Sequence, residues 1–279
     1  MHWRPLLLLI SAALVGCASP MSTFTTGRTL PRNRLALTTG VGLNVASSFV
    51  GAVVDNAKTV ARKIEDAATQ SQVAALTEGE TRDLMRGAFS YALYAPLPLW
   101  EIGLRYGILE RWDAGVAYTT SGFRFETKVQ LVKDDRIDLA IGLQALHQVL
   151  DIPLPDFLKD VFEIEDLSRT DLTLPLIASR HFGKWGFVYG GPKFVYSFLQ
   201  ADILERVSAL AGKETETSKG MWALGGVVGG GVGYKYVFVL LELNVLYYSY
   251  KPTLLDTEVD LSGVDVYPAL GLRINFFGG

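Results

Sequence analysis

The chain has one cysteine, three histidines and, beyond its first residues, no apolar run long enough to cross a bilayer as a helix. Each shortage removes a class of function. A lone thiol excludes an intrachain disulfide and any metal centre built on several thiolates. Formal net charge is only -3 over 279 residues, with Lys and Arg scattered, so there is no electrostatic footprint for nucleic acid. No GxGxxG, Walker or GxSxG pattern occurs, and the glycines Gly225, Gly226 and Gly229 to Gly231 are read as close packing or curvature in a strand. The 49% hydrophobic content excludes a disordered chain.

What is present begins at the N-terminus. Met1 to Arg4 carry positive charge, Leu6 to Val15 form an apolar stretch, and Leu14-Val15-Gly16-Cys17 ends it. The stretch is far shorter than the roughly 20 residues of a membrane-spanning helix, and has the layout of a cleaved signal peptide. Leu14-Val15-Gly16-Cys17 resembles the lipobox of bacterial lipoproteins. That resemblance implies removal of residues 1-16, a covalent lipid on Cys17 and, because Ala18 is not aspartate, delivery to the outer membrane. Residues 18 to 31 are small, polar and Thr-rich and read as a tether, so 17-33 is expected to be a lipidated N-terminus and linker.

From residue 34 to 279 the dominant period is two. Leu35, Leu37, Val41 and Leu43 share one phase, and Phe123, Phe125, Val129 and Leu131 alternate with Arg124, Glu126, Lys128 and Gln130. Val264, Val266, Leu270, Leu272, Ile274 and Phe276 repeat the pattern. Further strands are expected near 88-107, 112-120, 136-147, 170-182, 186-199, 220-235 and 236-250, which makes about ten. Tight connections at Glu110-Arg111, Lys133-Asp135, Gly183-Trp185 and Tyr234-Tyr236 alternate with longer segments near 46-87, 148-169, 200-219 and 251-263, and only the connection near Thr120-Ser121 is short on the longer side. Helical spacing within 46-87 (Val50 to Ala68), and more briefly around Phe157-Ile164 and Ile203-Ala211, predicts short helices in the long connections.

One phase of the strands is charged in both signs: Glu101, Arg105, Asp113, Arg124, Glu126, Lys128, Asp138, Glu242, Asp265 and Arg273. A dry sandwich core would not hold these groups, whereas a narrow lumen lets them pair. The expected fold is therefore all-β, a closed antiparallel up-and-down transmembrane barrel with those charges inside and the apolar phase against lipid. Alternating loop lengths and a last strand ending in Phe276-Phe277 resemble the bacterial outer-membrane β-barrel superfamily. An even strand number puts both termini and the tight turns in the periplasm, and with them Cys17 on the inner-leaflet side.

No catalytic residue, metal site or cofactor beyond the lipid is expected. His147, with Gln144 and Asp151 nearby, is the only candidate for a hydrolytic site at the rim, as in the ten-stranded omptin proteases, but its phase is apolar and their motifs are missing. His181 falls at the opposite end, and Glu163, Glu165 and Asp166 lack the ligand spacing of a calcium loop. The expected function is structural, surface-interacting or that of a narrow pore, with membrane lipid as partner and room for a surface or periplasmic protein. The alternatives are a barrel hydrolase acting on lipid or peptide, and a soluble periplasmic lipoprotein with the faces inverted around an apolar ligand.

Overall fold

A computed structural model describes residues 19-46, 98-149, 162-205, 214-251, 253-254, 257-258 and 260-276. The strands are β1 (Leu35–Leu43), β2 (Val45–Ala46), β3 (Pro98–Leu109), β4 (Trp112–Thr119), β5 (Gly122–Lys133), β6 (Asp138–Val149), β7 (Phe162–Phe182), β8 (Gly186–Glu205), β9 (Glu214–Tyr234), β10 (Val237–Ser249), β11 (Thr253–Leu254), β12 (Thr257–Glu258) and β13 (Gly263–Phe276). Ten of them close the wall in the order β1-β3-β4-β5-β6-β7-β8-β9-β10-β13 and back to β1, every pair antiparallel. The closing seam runs from Leu35↔Phe276 to Gly42↔Ala269. The short β2 adds to β13 beyond a break at Asn44, and β11 and β12 pair only with each other.

The alternation of residue types decides which face points out. Along β10, Val237, Val239, Leu241, Leu243, Val245 and Tyr247 are exposed, while Phe238, Leu240, Glu242, Asn244, Leu246 and Tyr248 are buried. Leu104, Val116, Phe125, Ile141, Val188, Val228 and Leu270 continue the same outer face around the wall. An apolar exterior of this extent has no stable place in water. Hydrocarbon covers it, and closure pairs the backbone groups that hydrocarbon cannot satisfy. Aromatic belts mark both edges. Trp100 and Tyr118 stand 5.4 Å apart, with Tyr118 and Phe123 at 5.0 Å and Trp222 and Tyr247 at 6.2 Å, toward one end; Trp185 and Tyr234, at 4.9 Å, lie at the other with Trp112 and Phe276. The inverted arrangement, apolar inside and polar outside, is thereby overturned.

The turns at Glu110-Arg111, 134-137, 183-185 and Lys235-Tyr236 share one rim with the start of β1 and the end of β13, the turn end; the Thr120-Ser121 turn and the longer connections share the other, the loop end. Gly183 (φ 58°) and Lys235 (φ 56°) take the left-handed conformation that two of these tight turns require.

Two features differ from expectation. Of the helical spacing read at Phe157-Ile164 and Ile203-Ala211, the described residues 162-164 and 203-205 are strand instead, because β7 starts at Phe162 and β8 runs to Glu205, and these two residues pair; the rest of both stretches lies outside the described residues. Ladder hydrogen bonds to a neighbour outweigh a weak local helical preference. β9 likewise starts at Glu214, earlier than the expected 220. The predicted helix within 46-87 and the start of the strand expected at 88-107 lie outside the described residues.

The second difference is the segment expected to be a tether. From Ser19 to Leu30 it is buried except at Arg28, and it lies inside the barrel.

Candidate functional site

The lumen is the site, and it is occupied. Its wall presents six buried carboxylates, Glu101, Asp113, Asp138, Asp171, Glu242 and Asp265, a seventh, Glu126, that is half-buried, and six buried cations, Arg105, Arg124, Lys128, Arg169, Lys193 and Arg273. Near balance lets them neutralise one another within a low-dielectric space. Arg105 bridges Asp113 at 2.7 Å and Glu126 at 2.6 Å. Arg124 meets Glu101 at 2.8 Å, Arg169 meets Asp171 at 2.7 Å, and Arg28 of the threaded segment reaches Asp138 at 2.9 Å.

Paired and unpaired groups of the wall together hold the segment in place. Glu242 accepts five hydrogen bonds: from the backbone N–H groups of Thr23 (2.7 Å) and Phe24 (2.8 Å), the Thr23 hydroxyl (2.9 Å), the Tyr189 hydroxyl (2.6 Å) and the Asn244 amide (2.8 Å). Phe24 is in the left-handed region at φ 40°, so its own N–H and that of Thr23 close on one carboxylate, as successive backbone donors do in an anion nest. Lys128 donates to the Thr25 hydroxyl and to the carbonyls of Thr26 and Arg28, each at 2.8 Å. Lys193 donates to the Met21 carbonyl, and Arg124 to that of Ser22 at 3.1 Å. Ser19 donates to Asp171 at 2.5 Å, Gly27 N–H to Ser179 at 3.0 Å, Thr29 to Gln130 at 2.9 Å and Leu30 N–H to Asp113 at 2.9 Å. Buried peptide groups that would otherwise lack water are thus satisfied by the wall.

Packing is equally close. A Cβ on Gly27 would lie 2.3 Å from the Asp138 carbonyl oxygen, and one on Gly40 would lie 2.3 Å from the Phe24 ring. Gly40 and Gly271 face each other across the seam, and the ring of Phe24 covers both. Between Thr25, Arg105, Lys128 and Ile177 lies a cavity of only about 10 Å³, room for a water molecule at most, while one of about 430 Å³ opens toward the turn end between Thr26 and Leu30 of the segment and His181, Phe187 and Arg273.

The residues singled out from the sequence are placed as follows. Glu101, Arg105, Arg124, Glu126, Lys128, Asp138, Glu242, Asp265 and Arg273 all belong to the inner wall, and all but Asp265 and Arg273 take part in the ion pairs or hydrogen bonds just described. Arg273 instead donates to Asn275 at 3.0 Å. Tyr189, Lys193 and Asn244 were not singled out; their inward phase was legible, but the bonds of Tyr189 and Asn244 to Glu242 and of Lys193 to the Met21 carbonyl were not. His147 points outward and shares a 2.9 Å hydrogen bond with Thr170. His181 lies near the turn end, 3.3 Å from Asp138 and against Phe187. The two histidines are therefore on opposite faces of the wall. Among the described residues no group of three His, Cys, Asp or Glu is arranged to hold a metal ion.

No family model and no curated protein sequence matches the chain. Among solved structures it is similar to the outer membrane protease OmpT from Escherichia coli (11% identity, TM-score 0.43, covering 91% of this chain and 100% of that one). It is also similar to Ail, the attachment invasion locus protein of Yersinia pestis (7% identity, TM-score 0.36, 88% and 99%), and to Neisserial surface protein A (10% identity, TM-score 0.32, 87% and 96%). The closed, even-stranded wall with an apolar exterior is the architecture of bacterial outer-membrane β-barrels.

Proposed function

We propose that this chain is a bacterial outer-membrane lipoprotein, acylated at Cys17, whose barrel is closed by its own N-terminal segment and serves as a structural or surface-interaction protein. It neither conducts nor catalyses. The observation that carries this reading is the continuous hydrogen bonding of residues 19 to 30 to the inner wall, with Glu242 and Lys128 at its centre. An open pore needs a hydrated path through the lumen, and this segment takes up that path. A rim hydrolase needs His147 facing the site, whereas its side chain is on the lipid face.

Planar-bilayer recording tests closure. The purified protein is expected to give no stable conductance steps, and a variant lacking residues 19-30 to give them; equal conductance from both would refute it. Metabolic labelling with an alkyne fatty acid tests the lipid, with label in the parent protein and none in Cys17→Ala.

A further inference from the structure

We infer that the N-terminal segment crosses the membrane layer inside the barrel and delivers the mature N-terminus to the loop end, so that the acyl group on Cys17 is carried in the leaflet on that side. The acyl group rests on the lipoprotein reading above; the path of the chain does not.

The contacts of the segment climb the wall in order. The chain enters at the turn end, where Asn33 N–H donates to the Gly107 carbonyl at 2.8 Å and Leu30 N–H to Asp113, next to Trp112 at the start of β4. Arg28 and Gly27 follow, on Asp138 at the first position of β6 and on Ser179 near the end of β7. Thr23 and Phe24 hold Glu242 midway along β10, and Ser22 meets Arg124, close to the loop-end start of β5. Ser19 then reaches Asp171 on β7.

The height gained can be measured on β7 itself. Ser179 and Asp171 are eight strand positions apart, which at a rise of about 3.3 Å per residue and a tilt of roughly 40° is about 20 Å along the barrel axis. The apolar band of such barrels is about 25 Å tall. The neighbour of Asp171, Thr170, pairs with His147, and His147 pairs with Phe123, so this row meets the loop-end aromatic belt at Phe123, two strands away. Ser19 is therefore already at the loop-end interface.

Cys17 precedes Ser19 by two residues, which span at most about 7 Å when fully extended. It cannot return to the turn end, and the expectation of an inner-leaflet anchor does not survive this path. Acyl chains find no home in the upper lumen either. Gln148 is completely buried there with neither amide atom hydrogen-bonded, and it pairs in the ladder with Arg169, whose guanidinium holds Asp171. Such a lining favours water or a polar chain over hydrocarbon, so the lipid leaves over the loop-end rim.

Two disulfide pairs in the full-length protein, oxidised in isolated outer membranes and read by mass spectrometry of linked peptides, test the path. Ser19→Cys with Asp171→Cys reports the upper lumen, and Thr29→Cys with Gln130→Cys the lower. Both links are expected in comparable yield. An epitope inserted between Ala18 and Ser19 is expected to bind antibody on intact cells as well as one placed in the β6-β7 connection does, while one in the Lys133-Asp135 turn stays silent. The lower link without the upper, or an N-terminal epitope silent on intact cells, overturns the inference. Both links and the surface epitope without fatty-acid label would uphold the path and refute the lipoprotein reading instead.

Discussion

Glu242→Gln is the sharpest perturbation of the closed lumen, because it preserves volume and removes only charge and acceptor capacity. The carboxylate accepts five hydrogen bonds, two of them from backbone donors of the threaded segment that cannot turn away. An amide keeps one oxygen and aims an N–H₂ group at the remaining donors, so at least one of the Thr23 and Phe24 amides loses its acceptor while still buried. Hydrogen bonds to a charged group contribute about 1.5–3 kcal/mol each, and a buried donor left unsatisfied costs about 1–3 kcal/mol. The expected loss is about 3–5 kcal/mol of segment docking, a factor on the order of 10²–10⁴ in the docked-to-released ratio. The wall is held by its own ladder, so heat modifiability on gels should persist. Amide exchange at Thr23 and Phe24 should accelerate by that factor, and brief conductance openings should appear. Unchanged exchange at both amides would refute the assignment of Glu242 as the residue that holds the segment.

Three further outcomes follow from the same geometry. Gly27→Ala places a methyl against the Asp138 and Ile177 carbonyls, at 2.3 and 2.8 Å from their oxygens, and should weaken docking by about 1–3 kcal/mol, seen as faster proteolysis of the N-terminal segment in a barrel that stays folded. Leu241→Arg, at an outer position 66% exposed on β10, should cost about 2–4 kcal/mol when folding is measured in lipid bilayers; no loss there would mean that this face does not meet hydrocarbon. His147→Ala should remove only the bond to Thr170, about 1 kcal/mol of stability by denaturant titration. A peptidase or lipase activity lost with it would reinstate the enzyme alternative.

The wall was legible because its signals are local. Alternation along Val237 to Tyr248, tight turns at Gly183 and Lys235 and the mixed charges of Glu101, Arg124 and Lys128 all follow from neighbours a few residues apart. The occupied lumen was not, because its contacts are not local: Thr23 meets Glu242 across 219 positions and Ser19 meets Asp171 across 152. Small hydroxyl-bearing residues that read as a flexible linker in isolation are also those that fit a narrow polar channel and donate to its carboxylates. Val195 and Leu240 on the inner wall, beside Lys193 and Glu242, further blurred the polar phase. The extension of β7 to β9 beyond the expected ends escaped for the same reason, since pairing across strands decided it.

Phe24 has a consequence for assembly. Its ring lies against Gly40 of the first strand and Gly271 of the last, the two that zip the cylinder shut. The N-terminal segment thus has to be waiting in the interior when the final hairpin arrives, since a finished cylinder with the segment's path bonded along its wall offers no easy route for it to be drawn through afterwards. Seating the segment and sealing the cylinder become one event, and any factor that inserts this protein must fold it around its own beginning.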